Sequence, residues 1–152
     1  MYEKILVSLD GSKQSECVLD HVRILAKGCS IPKVVLLRVI EPFPPAAATY
    51  VGDDKVKDIQ KRSVAAAEEY LSYLGDGLRT FCGGLETVVV EGKAGAGYEI
   101  LEYAKKHGVD LIAMSTHGQS GLIRATIGSV TRHVIDNWTG PTLVVSPAGC
   151  RP

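Results

Sequence analysis

The sequence DLIAMSTHGQSGLIRATIGS, residues 110–129, contains a short apolar run, a loop of small residues and the start of a helix. Asp110–Ser115 lacks the polar alternation of a half-exposed strand, which is typical of a strand covered on both faces. Gly128 and Ser129 are typical of a helix N-terminus, and the helix is predicted to continue to Trp138. A strand, a loop and a helix in this order predict one unit of a parallel sheet.

The same alternation continues in both directions along the chain. Four further apolar runs predict strands: Glu3–Leu9, Lys33–Ile40, Leu85–Glu91 and Pro141–Ser146. Three further periodic segments predict helices: one that Ser12 caps and that ends at Gly28, one over Val56–Leu74, and one over Tyr98–His107. Five strands alternating with four helices predict one α/β domain over residues 1–152. The expected fold is an open, Rossmann-like parallel sheet in the order 3-2-1-4-5, with helices on both faces.

The helix over 56–74 is predicted to turn one set of residues inward, because they recur at intervals of three or four. That set is Val56, Ile59, Ser63, Ala66, Tyr70 and Leu74. The segment Glu41–Asp54 before it is long for a loop, and its prolines favour extended backbone. Phe43 and Tyr50 would be costly to leave in water, which argues against a disordered linker. Three interpretations of this segment remain open: a lid, a segment that contacts a partner, or a long loop without a function.

Composition limits the kinds of partner. The chain carries 17 basic and 17 acidic side chains, whereas proteins that bind nucleic-acid backbones usually carry a basic surplus. No apolar run reaches the roughly 18 residues of a membrane span, and no leader is evident at the N-terminus. Cys17, Cys29, Cys82 and Cys150 form no zinc-binding pattern and are expected to be free thiols. The protein is therefore expected in the cytoplasm, bound to neither nucleic acid nor a membrane.

The strand order predicts where a small ligand would bind. In open parallel sheets, ligands bind beyond the carboxyl ends of the strands, at the point where the strand order reverses. Here that point lies between the first and fourth strands, so the loops 10–12 and 116–127 should meet. The free N–H groups of a helix that begins at Gly128 favour an anion, and Arg124 can add charge-assisted hydrogen bonds. A glycine-rich turn followed by a helix cap explains the same residues equally well.

Two other features suggest sites less strongly. Glu91–Gly97 is rich in glycine, but its spacing is that of neither a P-loop nor a dinucleotide fingerprint. It follows the third strand at the sheet edge, so it is predicted to be a strand-to-helix turn away from the ligand. His117 has no second His or Cys near it in sequence and is more simply explained as shaping its loop than as a metal ligand.

The spacing of Gly118 and Gly128-Ser129, with nine residues between the two glycines, resembles the signature of the universal stress protein family. The segments KILVSLDGS, LLRVIEP, DLIAMSTHG and GPTLVVSP are similar to the family at the expected separations, so the resemblance covers nearly the whole chain. One position departs from the signature, because its first glycine is Ser115 here.

The resemblance implies an adenine-nucleotide site, with ATP preferred over AMP or ADP. Asp10 would lie beside the ribose, Ser8 would line the nucleoside pocket, and the backbone of Val39 would read the adenine edge. The ribose and inner phosphates would be wrapped by Ser115, Thr116, His117, Gly118, Gln119, Ser120 and Gly121. The outer phosphates would be held by Gly128, Ser129, Val130 and Thr131. Mg²⁺ would be bound through the phosphates, with no protein metal ligands.

The resemblance also implies a ligand-sensing regulator of the stress response, and a homodimer through the last strand at Thr142–Ser146. That strand is predicted at an open edge, with no Lys or Glu to discourage pairing. No residue is identified as catalytic, and at most slow ATP hydrolysis is expected, since only Asp10 and His117 could assist an attacking water. The alternative function is a stress-protein dimer that binds no nucleotide and acts through protein contacts.

Overall fold

The computed structural model describes residues 2–117 and 127–147 of the chain. Five strands form one sheet: β1 (Lys4–Ser8), β2 (Lys33–Ile40), β3 (Leu85–Glu91), β4 (Leu111–Ser115) and β5 (Thr142–Val145). Their order is β3-β2-β1-β4-β5, and every neighbouring pair is parallel. The predicted fold class and strand order are confirmed.

The central strands are buried on both faces, as their apolar sequences predict. Ile5, Leu6 and Val7 of β1 are fully buried, although successive side chains of a strand point to opposite faces. Ile5 and Val7 belong to a core cluster with residues of α2 and α4, whereas Leu6 belongs to a second cluster with residues of α5 and α6. The sheet is therefore the middle layer of three.

The described residues contain six helices: α1 (Lys13–Glu16), α2 (Val18–Cys29), α3 (Pro45–Val51), α4 (Asp53–Asp76), α5 (Ala96–Lys106) and α6 (Ser129–Asn137). Ser12 caps α1 as predicted, since its side chain accepts a hydrogen bond from the backbone N–H of Ser15 at 3.1 Å. The single helix predicted from Ser12 to Gly28 is instead divided at Cys17 into α1 and α2.

The segment 41–54 differs from its prediction. It was expected to be extended, yet residues 45–51 form α3. Proline is tolerated at the first position of a helix, and the three alanines after Pro45 are strong helix formers. Tyr50 is 91% exposed, so the expectation that this ring would avoid water is wrong.

The inward face of α4 also differs from the predicted one. The buried residues of this helix are Ala67, Leu71 and Gly75, whereas Ala66 is exposed and Ile59 is 38% exposed. Gly75 lies close to the sheet, because a Cβ at this position would lie 2.7 Å from Cδ2 of Leu85 in β3. The closest packing of α4 on the sheet is therefore one residue later in sequence than predicted.

The cysteines are not all alike. Cys29 and Cys82 are free thiols, whereas Cys17 is disulfide-bonded, so the expectation of free thiols is wrong for Cys17. Cys150 lies outside the described residues. Within residues 2–117 and 127–147, no helix is long and apolar enough to span a membrane.

The three-layer packing predicts a large cost for truncating the central strands. Ile112→Ala in β4 removes a fully buried side chain and should lower the free energy of unfolding by about 2–5 kcal/mol. The control Ile24→Ala changes a side chain in α2 that is 69% exposed, and should change stability by less than about 0.5 kcal/mol. Chemical denaturation measures both. Equal losses in the two variants would contradict the assignment of the core.

Candidate functional site

A cavity of about 550 Å³ lies where the strand order reverses. β1 pairs with β2 on one side and with β4 on the other, so the carboxyl ends of these three strands meet. The volume lies within the usual range for small-molecule sites. The residues lining the cavity are Ser8, Leu9, Asp10, Ser15, Arg38, Val39, Ile40, Glu41, Ser63, Ala96, Ile100, Met114, Ser115, His117, Gly128, Ser129, Val130 and Thr131.

Nine of the residues selected from the sequence line this one cavity: Ser8, Asp10, Val39, Ser115, His117, Gly128, Ser129, Val130 and Thr131. Thr116 is described but is not one of the lining residues. Five more selected residues lie outside the described part of the chain: Gly118, Gln119, Ser120, Gly121 and Arg124. Segments more than 70 residues apart in sequence are thus brought together as the strand order predicted.

On the β1 side, Asp10 belongs to a short hydrogen-bonded turn. Its Oδ1 accepts hydrogen bonds from the backbone N–H of Ser12 at 2.9 Å and from the Ser12 hydroxyl at 2.6 Å. The Ser12 hydroxyl in turn accepts the N–H of Ser15. Asp10 therefore orders the turn that begins α1, and it is also one of the residues that line the cavity.

On the β4 side, two hydrogen bonds fix the start of α6. The Thr131 hydroxyl donates to the Ser115 carbonyl oxygen at 2.8 Å, and the Gly128 N–H donates to the Thr116 carbonyl oxygen at 2.8 Å. A Cβ at Gly128 would lie only 3.1 Å from that Thr116 oxygen. The first N–H groups of a helix have no intrahelical acceptors, and the first residues of α6 line the cavity. This arrangement can accept an anion.

His117 is held by its neighbours. Its Nδ1 lies 2.9 Å from the Thr116 hydroxyl, and its backbone N–H donates to the Ser115 hydroxyl at 3.4 Å. Nε2 is buried and has no hydrogen-bond partner among the described residues. A buried, unpaired ring nitrogen in a cavity wall is a group that a polar ligand can satisfy.

On the β2 side, the structure adds Arg38, which sequence analysis missed. Its Cζ lies 5.3 Å from the centre of the Tyr70 ring, within the range of a cation–π contact. The Tyr70 hydroxyl donates to Oε1 of Glu16 at 3.3 Å. A signal was available in the sequence: Arg38 is the one charged residue among the apolar residues 34–40 of β2.

Other lining residues could not be identified from the sequence, because they are small or apolar and such residues are as common in protein cores as in binding sites. Ser63 comes from α4, Met114 from β4, and Ala96 and Ile100 from α5. Glu91–Gly97 was predicted to be a strand-to-helix turn away from the ligand. It does connect β3 to α5, but Ala96, the first residue of α5, lines the cavity. Within the described ranges, no group of three or more His, Cys, Asp or Glu is arranged to hold a metal ion.

Tyr70 should titrate late. Burial of the phenol, and secondarily the Glu16 carboxylate, raise its pKa to about 12. Because the folded pKa exceeds the unfolded value of about 10, Tyr70 should contribute stability fully below pH 10 and lose it as the pH rises through about 12.

Alkaline titration followed by phenolate absorbance should show this late component, and Tyr70→Phe should remove it. Glu16→Gln should lower the pKa of Tyr70, since it removes the negative charge that disfavours phenolate. A Glu16→Gln titration that superimposes on the wild type would contradict the role given to Glu16.

Comparison with known proteins agrees with this architecture. The sequence model of the universal stress protein family matches residues 1–146. Universal stress protein YxiE of Bacillus subtilis is 30% identical, over 95% of this chain and 99% of its own length. The solved structure of protein MJ0577, a universal stress protein of Methanocaldococcus jannaschii, is 28% identical with a TM-score of 0.81 and covers 96% of each chain.

A third structure, a universal stress protein of Archaeoglobus fulgidus in complex with dAMP, has a TM-score of 0.63. At 21% identity over 95% of this chain and 98% of that one, it supports the fold alone. The family model covers most of the chain, and the relatives match at least 95% of it. This chain therefore belongs to the universal stress protein family.

Proposed function

We propose that this chain is one nucleotide-binding domain that binds an adenine nucleotide, with ATP and Mg²⁺ preferred, and acts as a ligand-sensing regulator of the stress response. The observation that carries the proposal is the cavity at the strand-order reversal, whose walls contain both Asp10 and the start of α6. The dAMP complex of the Archaeoglobus fulgidus protein adds support from a chain of the same fold. A cytoplasmic location stays a sequence-based prediction.

The two sides of the cavity suit the two ends of a nucleotide. Val39, on β2, would offer its backbone to the adenine edge, and Ser8 and Asp10 would lie beside the nucleoside. The residues Ser115, Thr116, His117, Gly118, Gln119, Ser120 and Gly121 would lie along the ribose and inner phosphates, with Arg124 as an added cation. The outer phosphates would be held by Gly128, Ser129, Val130 and Thr131.

Residues at the start of α6 would supply N–H donors and the positive end of the helix dipole, which explains how a chain of zero net charge can bind a polyanion. β2 and β4 are both neighbours of β1, so they are separated by about 9–10 Å across the sheet. The two ends of a nucleotide can therefore reach both sides. Mg²⁺, when bound, would neutralise phosphate charge while keeping several of its waters.

The start of α6 gives the first test. Gly128→Val should abolish ATP binding, because a branched side chain would fill the space in which phosphate must approach the backbone. Calorimetry with ATP and Mg²⁺ measures the loss. Gly28→Val is the matched control, since a Cβ there meets no atom within 4 Å.

Because a Cβ at Gly128 also meets the Thr116 carbonyl oxygen at 3.1 Å, the melting temperature of each variant must be measured without nucleotide. Unchanged ATP affinity in a folded Gly128→Val protein would remove the start of α6 from the proposed site. The alternative, a stress protein that acts only by contact with other proteins, requires that the wild type bind no adenine nucleotide at all.

We further propose that the protein is a homodimer through residues 142–146. β5 lies at the edge of the sheet, and Thr142, Leu143 and Val144 are each only partly buried. Such an edge, without Lys or Glu, is a template for pairing with the same strand of a second copy under two-fold symmetry.

Val144→Lys should therefore shift the protein towards monomer, because a charge would have to be buried in the paired edge. Val90→Lys is the matched control, since Val90 is likewise partly buried but lies on β3 at the other edge. Sedimentation velocity measures both. A monomeric wild type at tens of micromolar, or equal dissociation of the two variants, would contradict the proposed interface.

A further inference from the structure

Arg38 is a cation that lines the cavity. It lies on β2 next to Val39, and its side chain is partly buried. Among residues 2–117 and 127–147, its guanidinium forms no ion pair and no hydrogen bond, and its Cζ lies over the Tyr70 ring. A guanidinium has five N–H donors in a fixed plane, so it brings unused hydrogen-bonding capacity to the cavity.

The position of this guanidinium is fixed by its surroundings. A Cβ at Gly11 would lie 2.8 Å from Nη2, 2.9 Å from Cζ and 3.0 Å from Nη1, so Gly11 lies against the flat side of the group. Gly11 also has a φ of +88°, which other residues adopt only with strain. The centre of the Tyr70 ring lies 5.3 Å from Cζ, and the Tyr70 hydroxyl donates a hydrogen bond to Glu16. These contacts leave the N–H groups at the rim of the plane for a ligand.

Two observations place Arg38 at the nucleoside side of the cavity. Gly11, which it covers, directly follows Asp10. β1 separates β2 from β4 in the sheet, so Arg38 lies about two strand spacings, or 9–10 Å, from the strand that precedes the anion-accepting start of α6. Its charge is therefore next to the group proposed to accept hydrogen bonds from ribose, rather than next to the proposed phosphate site.

We propose that Arg38 donates a hydrogen bond to a ribose hydroxyl oxygen of the bound nucleotide. This inference rests on the proposed function. A sugar hydroxyl can donate to one group while its lone pairs accept from another. Asp10 offers the acceptor and Arg38 the donor, so the two residues together recognise a hydroxylated sugar between β1 and β2.

The test compares Arg38→Met with the wild type for three ligands: ATP, 2′-deoxy-ATP and 3′-deoxy-ATP, each with Mg²⁺. Arg38→Met should weaken ATP binding about 10-fold, the lower end for a charged hydrogen bond. For the analogue that lacks the contacted hydroxyl, the same substitution should cost less than about twofold, because the interaction is already absent. A merely structural role would not separate the ligands in this way.

Two variants control for charge and folding. Arg38→Lys keeps the positive charge but loses the planar set of donors. It should weaken ATP binding and retain part of the difference in affinity between ATP and the deoxy analogue that lacks the contacted hydroxyl. Arg62→Met removes an exposed arginine of α4 that pairs with Asp58, and should leave all three affinities unchanged. Melting temperatures report whether each variant is folded.

The outcomes are distinct. If folded Arg38→Met binds ATP like the wild type, the role of Arg38 is overturned while the nucleotide site stands. An equal loss for ATP and both deoxy analogues also overturns it, because the contact would then be with base or phosphate. If the wild type binds none of the three ligands, the proposed function fails, and this inference fails with it.

Discussion

Hydrogen bonding of β1 to both β2 and β4 is the constraint on which the rest of this structure depends. Leu6 pairs with Val35 on one side and with Ile112 on the other, and all three side chains are buried. Because both neighbours run parallel to β1, every connection must cross over the sheet, and helices cover both faces. The chain leaves β1 towards β2 and β3, then returns on the other side to form β4. The chain therefore continues in different directions beyond the carboxyl ends of β1 and β4, and the cavity lies at this point.

The polar groups in the cavity wall follow from how each strand ends. After β1, Asp10 and Ser12 form a turn whose hydrogen bonds begin α1. After β4, Thr131 and Gly128 bond back to carbonyl oxygens of residues 115 and 116, which fixes the start of α6 against the strand. Local hydrogen bonds thus hold both walls, so their polar groups have defined positions. Preorganised donors and acceptors of this kind reduce the ordering that binding would otherwise cost.

Arg38 shows how packing between the sheet, α4 and the loop after β1 contributes a charged group to the cavity. Residues 34–37 of its strand are apolar and buried, whereas Arg38 near the carboxyl end packs against Tyr70 of α4 and Gly11 of the loop after β1. The arginine side chain fits there because Gly11 has no side chain and because the guanidinium can lie over the Tyr70 ring. α4 supplies Tyr70 to this contact and Ser63 to the lining of the cavity.

The sequence by itself determined the strands, their order and the place of the cavity, because apolar runs and helical periodicity are local signals and parallel connections allow few topologies. Lys33–Ile40 and Leu85–Glu91 were predicted at the bounds observed. Only the tertiary structure decided which side chains meet. Arg38 reaches Gly11 and Tyr70 through packing between distant segments, and Ala96 reaches the cavity through the docking of α5. The buried face of α4 is set by where it touches β2 and β3, and no local pattern encodes that contact.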